Sequence, residues 1–294
     1  MTLRIVAAAL LALSLAGCNM LRFGYGQIDV YAGWQADAYF NLDPDQRQEF
    51  NKRFVRLHEW HRQTQLPDYA AFLTAIRERI RKGASSEDAR WVMDGVMSRY
   101  RALVKHSADD MAAVLMTVTP AQLEHLKQRW EKDNRRFERE HKLREGAQEQ
   151  RRAASRRALE RVRDWTGNLT LEQEEKIATL AAEVPMNHRL RHEDRMRRQR
   201  EFFQLMAQRD DPRKFAERLR GYLANWDQGR DPEYQKLWEQ WLRKQADFYV
   251  AVLRMLTPEQ RATVERRIQN YVDDFTRLAQ RPAGATPTGE MKSK

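Results

Sequence analysis

Apolar positions along this chain recur every three or four residues, and that period predicts helices almost everywhere. Phe50, Phe54, Leu57 and His61 are spaced four, three and four apart, and Val264, Ile268, Tyr271, Phe275 and Leu278 four, three, four and three. Each set marks one stripe on a helix of period 3.6. Residues 67–82 open with Pro67 and stop at Gly83, which predicts a separate helix there. Ser85 or Ser86 then precedes a long pattern through Trp91, Val92, Val96, Tyr100, Leu103 and Val104 to Leu115. A further helix begins after Asp231, with Pro232 in its first turn, and runs over 232–255 with Leu237, Trp238, Trp241, Leu242, Phe248, Tyr249 and Val252. No segment alternates with period two for long enough to be a strand. The fold class expected is all-α: an elongated antiparallel bundle or a thin curved helical layer.

Composition agrees with that reading. Charged residues make up 32% of the chain, and only 12 Gly and 9 Pro occur in 294 residues. That balance suits long solvated helices rather than a turn-rich β fold.

The N-terminus changes the picture. Arg4 is followed by an apolar run from Ile5 to Ala16 and then by Gly17 and Cys18, the only cysteine. The run is shorter than the ~20 residues a membrane span needs, and it has the parts of an export signal. Leu15-Ala16-Gly17-Cys18 resembles the lipobox of bacterial lipoproteins. That resemblance implies lipidation of Cys18 after removal of residues 1–17, and Asn19 implies sorting to the outer membrane, facing the periplasm. A signal peptide with an incidental cysteine is the competing reading. With one cysteine, no disulfide staples the mature chain. Residues 18–41 carry Phe23, Tyr25, Tyr31, Trp34, Tyr39 and Phe40. They suit either a membrane interface or a short helix over about 28–40 docked on the core. Residues 282–294, rich in Pro and Gly, are expected to be disordered.

One motif occurs four times: Leu42-Asp43-Pro44-Asp45-Gln46, Val118-Thr119-Pro120-Ala121-Gln122, Leu169-Thr170-Leu171-Glu172-Gln173 and Leu256-Thr257-Pro258-Glu259-Gln260. Each reads as a helix start, with Asp43, Thr119, Thr170 and Thr257 as caps and Gln46, Gln122, Gln173 and Gln260 closing capping boxes. The first pair lies 76 residues apart and the second 87. The spacing suggests two tandem units, 42–165 and 166–281, each with motif helix, second helix, long aromatic helix and motif helix.

At these residues the chain resembles the LTxxQ-containing periplasmic proteins of the Spy and CpxP type. That resemblance implies a thin cradle made of two such units, binding of unfolded clients or a part in envelope-stress sensing. The overall plan, with Trp60-His61-Arg62 ending the first motif helix, also resembles an uncharacterised family of bacterial outer-membrane lipoproteins, which implies no activity.

Arginine outnumbers lysine 41 to 12, and the formal net charge is +11. Behind an export signal such a balance points to lipopolysaccharide, phospholipid headgroups or acidic unfolded chains rather than nucleic acid. Arg129–Arg163 holds 13 basic against 7 acidic residues, and Arg189–Arg200 six arginines against Glu193 and Asp194. These runs are either solvated helix faces with i,i+4 pairing or a basic binding surface built from Arg151, Arg152, Arg156, Arg157, Arg195, Arg197 and Arg198. Trp91, Tyr100, Trp238 and Trp241 are the candidate aromatic patches beside it, and Trp130 and Phe137 extend the mixed surface. His58/His61 and His188/His192 each share a helix face, and Glu59 or Glu193 could contribute to a zinc site there, but no H-E-x-x-H pattern and no cysteine ligands occur, so neither a metal nor a cofactor is expected. Catalytic signatures are missing too: the chain has no phosphate loop, no nucleophile elbow and no free thiol after lipidation. The expected role is binding or chaperone-like, with a structural accessory that docks an envelope protein, or a lipopolysaccharide binder, as alternatives.

Overall fold

The computed structural model describes residues 21–185 and 187–280. The signal segment 1–17, Cys18 and the tail 282–294 lie outside the described residues. The protein is 85% helical, with eleven α-helices and no strand among the described residues. They are α1 (Ile28–Phe40), α2 (Pro44–Trp60), α3 (Leu66–Arg81), α4 (Ser86–Met116), α5 (Pro120–Glu140), α6 (Ala147–Thr166), α7 (Leu171–Glu183), α8 (His188–Ala207), α9 (Pro212–Ala224), α10 (Pro232–Met255) and α11 (Pro258–Ala279). The chain divides into two compact units, Met1–Thr74 with Ile268–Lys294, and Ala75–Arg267. This division does not follow the expected break between 165 and 166, because one unit is built from both ends of the chain.

In the first unit α1 packs on α2. Gly33 permits this approach, since a Cβ there would stand 3.2 Å from Asn51 Oδ1. Tyr25 ties the start of the chain to α2: its hydroxyl meets His61 Nδ1 at 2.9 Å and its ring lies 4.6 Å from that of His58. Burial holds the Tyr25 hydroxyl neutral well above the ordinary phenol range and lowers both histidines. The edge of Tyr69 meets Phe275, and Arg22 pairs with Asp274 at 3.1 Å.

Pro67 lies in the first turn of α3, as expected, but no loop sets α3 off from α2. Between α2 and α3 the chain continues through a π-turn over His61–Gln65, where the Leu66 N–H donates to the His61 carbonyl five residues back. A proline inside an α-helix clashes with the carbonyl four residues before it, and the wider π-turn makes room for the ring. The stop at Gly83 is as expected, with φ +90° and its N–H on the Ile80 carbonyl.

In the second unit the most extensive pairing is that of α4 with α9. Ala108 and Ala112 on α4 are nearly inaccessible, as are Phe215 and Leu219 on α9, so small residues on one helix make room for large ones on the other. The unit continues with α6 against α7, α10 against both α4 and α7, and α8 against α5 and α9.

The second half of the chain departs from the expected helix order. Two helices separate motif helices α2 and α5, whereas three separate α7 and α11. The additional helix, α9, exists because Asp211 caps a new start at Pro212, accepting from the N–H groups of Arg213 and Lys214. Two copies of one four-helix unit therefore do not describe 42–165 and 169–280.

Candidate functional site

All four motif boxes form as capping boxes. Asp43 and Gln46, Thr119 and Gln122, and Thr170 and Gln173 exchange backbone-to-side-chain bonds reciprocally. Thr257 and Gln260 do the same at 3.0 and 3.3 Å. Ser85 and Asp88 add a fifth box that opens α4.

The glutamines of the second pair do more than cap. Gln173 Nε2 donates to Gln260 Oε1 at 2.8 Å, and Gln260 Nε2 donates back to Gln173 Oε1 at 2.9 Å. The second proton of each amide goes to a carbonyl two residues before the partner's cap: Gln173 to Met255 at 3.1 Å and Gln260 to Asn168 at 2.8 Å. Both donors and both acceptor directions of each buried amide are thus occupied. The repeated Gln in the sequence was the signal for this pairing, but a capping box accounts for only half of what the side chain does.

A different polar cluster lines a cleft of about 230 Å³ in the same unit. His141 follows the end of α5; Ala154, Arg157, Ala158 and Arg161 come from α6; Ala181 from α7, and Val184 and Pro185 follow it. His188 and Arg191 belong to the first turn of α8, and Trp241, Gln245, Phe248 and Tyr249 to α10. The lining contains three arginines and no carboxylate. Neither Arg161 nor Arg191 forms an ion pair with another described residue. Arg157 donates to the Glu140 carbonyl at 3.2 Å, and burial, then Arg161 and Arg156, pulls its guanidinium below the ordinary arginine range.

The rings of His141 and His188 stack with centroids 4.1 Å apart. The Nδ1 atoms of both are buried without a hydrogen-bond partner. Burial, then His141, Arg157 and Arg191, pushes His188 down to about 4, and burial lowers His141 as well. Both imidazoles are thus biased toward their neutral forms beside Arg157, Arg161 and Arg191, with Glu140 the nearby acidic group that acts on both His141 and Arg157. An anion entering here would meet three guanidinium groups and could restore a proton to the histidines. The helix dipole favours negative charge at the same place, because the start of α8 at Asn187 has no side-chain cap.

Of the expected binding residues, Arg157 and Trp241 come together in this cleft. Arg151, Arg152 and Arg156 are exposed on α6, with Arg156 3.7 Å from Glu149. The α8 arginines face inward instead. Arg195 donates to Asn134 at 2.8 Å, Arg197 pairs with Asp194 and Glu201, and Arg198 lies over the rings of Tyr222 and Trp226. Beside them Arg230, 9% exposed, is enclosed by Trp226, Tyr234 and Trp238 at 4.6–5.3 Å. Trp238 also stacks on Trp241 at 5.0 Å, so it links this cage to the cleft wall.

Tyr100 donates to the Leu223 carbonyl at 2.9 Å, and Arg101 to that of Ala224, so both satisfy the open C-terminus of α9. Trp91 carries Arg79 on its face at 4.1 Å. Trp130 packs edge-on to Phe202 and Phe203, and Phe137 lies against His141 and His192. Neither of these two rings forms part of an open surface. His188, Arg161 and Arg191 line the cleft together; His188 and Arg191 share the first turn of α8, but no sequence spacing linked them to Arg161, which comes from α6 on the far side of α7 in the chain.

No described helix is long and apolar enough to cross a membrane. No group of three or more potential metal ligands occurs among the described residues. No curated protein and no solved structure matches the chain. Residues 38–235 match the family of unknown function DUF6279, and the chain belongs to that family.

Proposed function

We propose that this protein is a lipid-anchored binding protein of the bacterial outer membrane, facing the periplasm and holding an anionic, partly apolar client in the α6–α8–α10 cleft. The carrying observation is the cleft lining: Arg157, Arg161 and Arg191 without a carboxylate, next to Trp241, Phe248 and Tyr249. Long-range attraction by the arginines brings an anionic group in, and the rings hold whatever apolar part adjoins it. The volume suits an acidic side chain with its neighbours or a single phosphate-bearing headgroup. This reading joins the basic and apolar features of a chaperone-like surface in one place. The lipobox at Cys18 supplies the anchor and the compartment.

The test is a titration of the chain from position 18, carrying Cys18→Ser, with a short peptide of alternating Asp and Phe, followed by tryptophan fluorescence. Saturable binding that weakens with salt, and that Arg157→Glu/Arg191→Glu abolishes without changing the circular dichroism spectrum, is expected. Binding that persists unchanged in that variant would remove the cleft from the function.

A further inference from the structure

Helix α1 is apolar on two opposite faces, and its partner α2 covers only one. On the packed side lie Ile28, Ala32, Gly33 and Ala36, all half-buried. On the other side Phe23 is 64% exposed, Val30 65%, Trp34 61% and Tyr31 53%. Residues 21–26 are helical as well. Gln27, with φ −111° and ψ 11°, separates that turn from α1; within α1, Val30 and Trp34 are four residues apart on one face with Tyr31 on the flank, and Phe23 is exposed in the turn that precedes them. Helix α1 contains no Lys or Arg, and of its two carboxylates Asp37 is paired with Arg47 at 2.5 Å. An outward stripe of large rings with no structural partner needs an explanation, because single exposed apolar residues are ordinary but aligned ones are not.

We infer that this face of α1 lies in the interfacial layer of a lipid bilayer, as a second, non-covalent membrane contact. The inference rests on the lipid-anchor reading of Cys18. The occupant follows from chain length. Phe23 is five residue steps from Cys18, and a chain segment of that length reaches at most about 18 Å. An acylated Cys18 therefore keeps Phe23 within reach of the headgroups. Tryptophan, tyrosine and phenylalanine are the side chains that favour that layer, since their rings combine apolar bodies with polar or polarisable edges. The Tyr31 hydroxyl accepts from Gln35 Nε2 at 2.6 Å, which satisfies it while its ring stays outward. Close packing at Gly33 holds α1 on α2, so the helix presents these rings without first having to fold. The covalent anchor confines the protein to the membrane. The α1 face sets its orientation there.

The test uses the chain from position 18 with Cys18→Ser, which has no acyl group, and sedimentation with phosphatidylcholine vesicles. Co-sedimentation that is insensitive to salt is expected, because the stripe is uncharged. Phe23→Ser/Trp34→Ser should weaken partitioning at least about ten-fold, given the apolar area of two rings, while leaving thermal unfolding unchanged. Brominated lipids should quench part of the tryptophan emission of the parent, and this part should be lost in Trp34→Ser. Failure to sediment, or equal sedimentation of the double variant, would overturn the inference. So would a concentration-dependent dimer of the parent that the double variant abolishes, since a second copy would then cover the face. Mass spectrometry of the protein from cells separates this from the anchor reading. Vesicle binding without acylation of Cys18 would remove the anchor and leave the α1 contact standing. Acylation without any effect of Phe23→Ser/Trp34→Ser would do the reverse.

Discussion

Two polar clusters of the second unit, the Gln173–Gln260 pair and the His141–His188 pair, use neutral side chains in opposite ways. In the first, each amide uses both donors and both acceptor directions in four hydrogen bonds to three residues. In the second, two imidazoles stack with unpartnered Nδ1 atoms under a rim of arginines. A buried polar group without partners is costly, whereas a complete network rigidifies what it joins. The glutamine pair is therefore a fastener between the starts of α7 and α11. The histidine pair joins the end of α5 to the start of α8 by ring stacking alone, with its Nδ1 atoms unpartnered.

The largest effect should come from breaking the fastener. Gln173→Ala leaves Gln260 short of a donor and an acceptor and strands the Met255 carbonyl, at a cost of about 3 kcal/mol. A fall in the urea midpoint without a change in slope would show it. Gln173→Leu/Gln260→Leu should cost less than the sum of the two single leucine variants, because neither amide is then left unpaired.

Acidification should act next, and through the other cluster. His188 titrates near 4 in the folded protein and near 6.5 when unfolded, so below pH 6.5 the unfolded chain binds more protons. Its contribution to stability is present above pH 6.5 and is lost as the pH falls toward 4. His141, lowered by burial and flanked by Arg157, Arg191 and Glu140, adds in the same direction. Thermal unfolding followed from pH 7 to 4 should show a declining midpoint, and His188→Asn should flatten part of that decline. An anionic ligand should weaken the dependence too, by favouring the protonated rings.

Thr170→Ala should cost about 1 kcal/mol, the ordinary value of one cap. This is well below the cost of Gln173→Ala, and equal losses would mean that the amide pairing contributes nothing beyond the cap. The smallest effect belongs to His188→Leu. Removing an unpartnered buried nitrogen should change stability by no more than about 0.5 kcal/mol, while titration with the acidic peptide should show weaker binding at low pH.

Local signals were legible wherever the chain's neighbours in sequence decide the outcome. The bounds of α1 and α10, the capping boxes and the stop at Gly83 all stand as read, because caps and periodicity act within a few residues. What leads into Pro67 was not legible for the opposite reason: the π-turn that carries the chain from α2 into α3 has no local pattern of its own. The start of α9 at Asp211-Pro212 carries an adequate local signal, a capping Asp before a first-turn Pro, which a repeat of fixed length has no place for.

Arginine shows most directly what sequence alone determined. The sequence determined that the second unit would be helical, basic and capped in a particular way, since propensity, charge and capping are properties of short segments. It also placed an aromatic-rich stretch directly after a candidate lipid site. It did not distinguish Arg191, which opens into a cleft with no ion-pair partner among the described residues, from Arg195 and Arg197 one or two turns later, which are bound to Asn134 and to Asp194 and Glu201. These residues share a type, a helix and a local charge. Their fates differ because α5, α6 and α10 are brought against α8 by packing, and only packing decides which guanidinium meets a partner and which opens into a cleft.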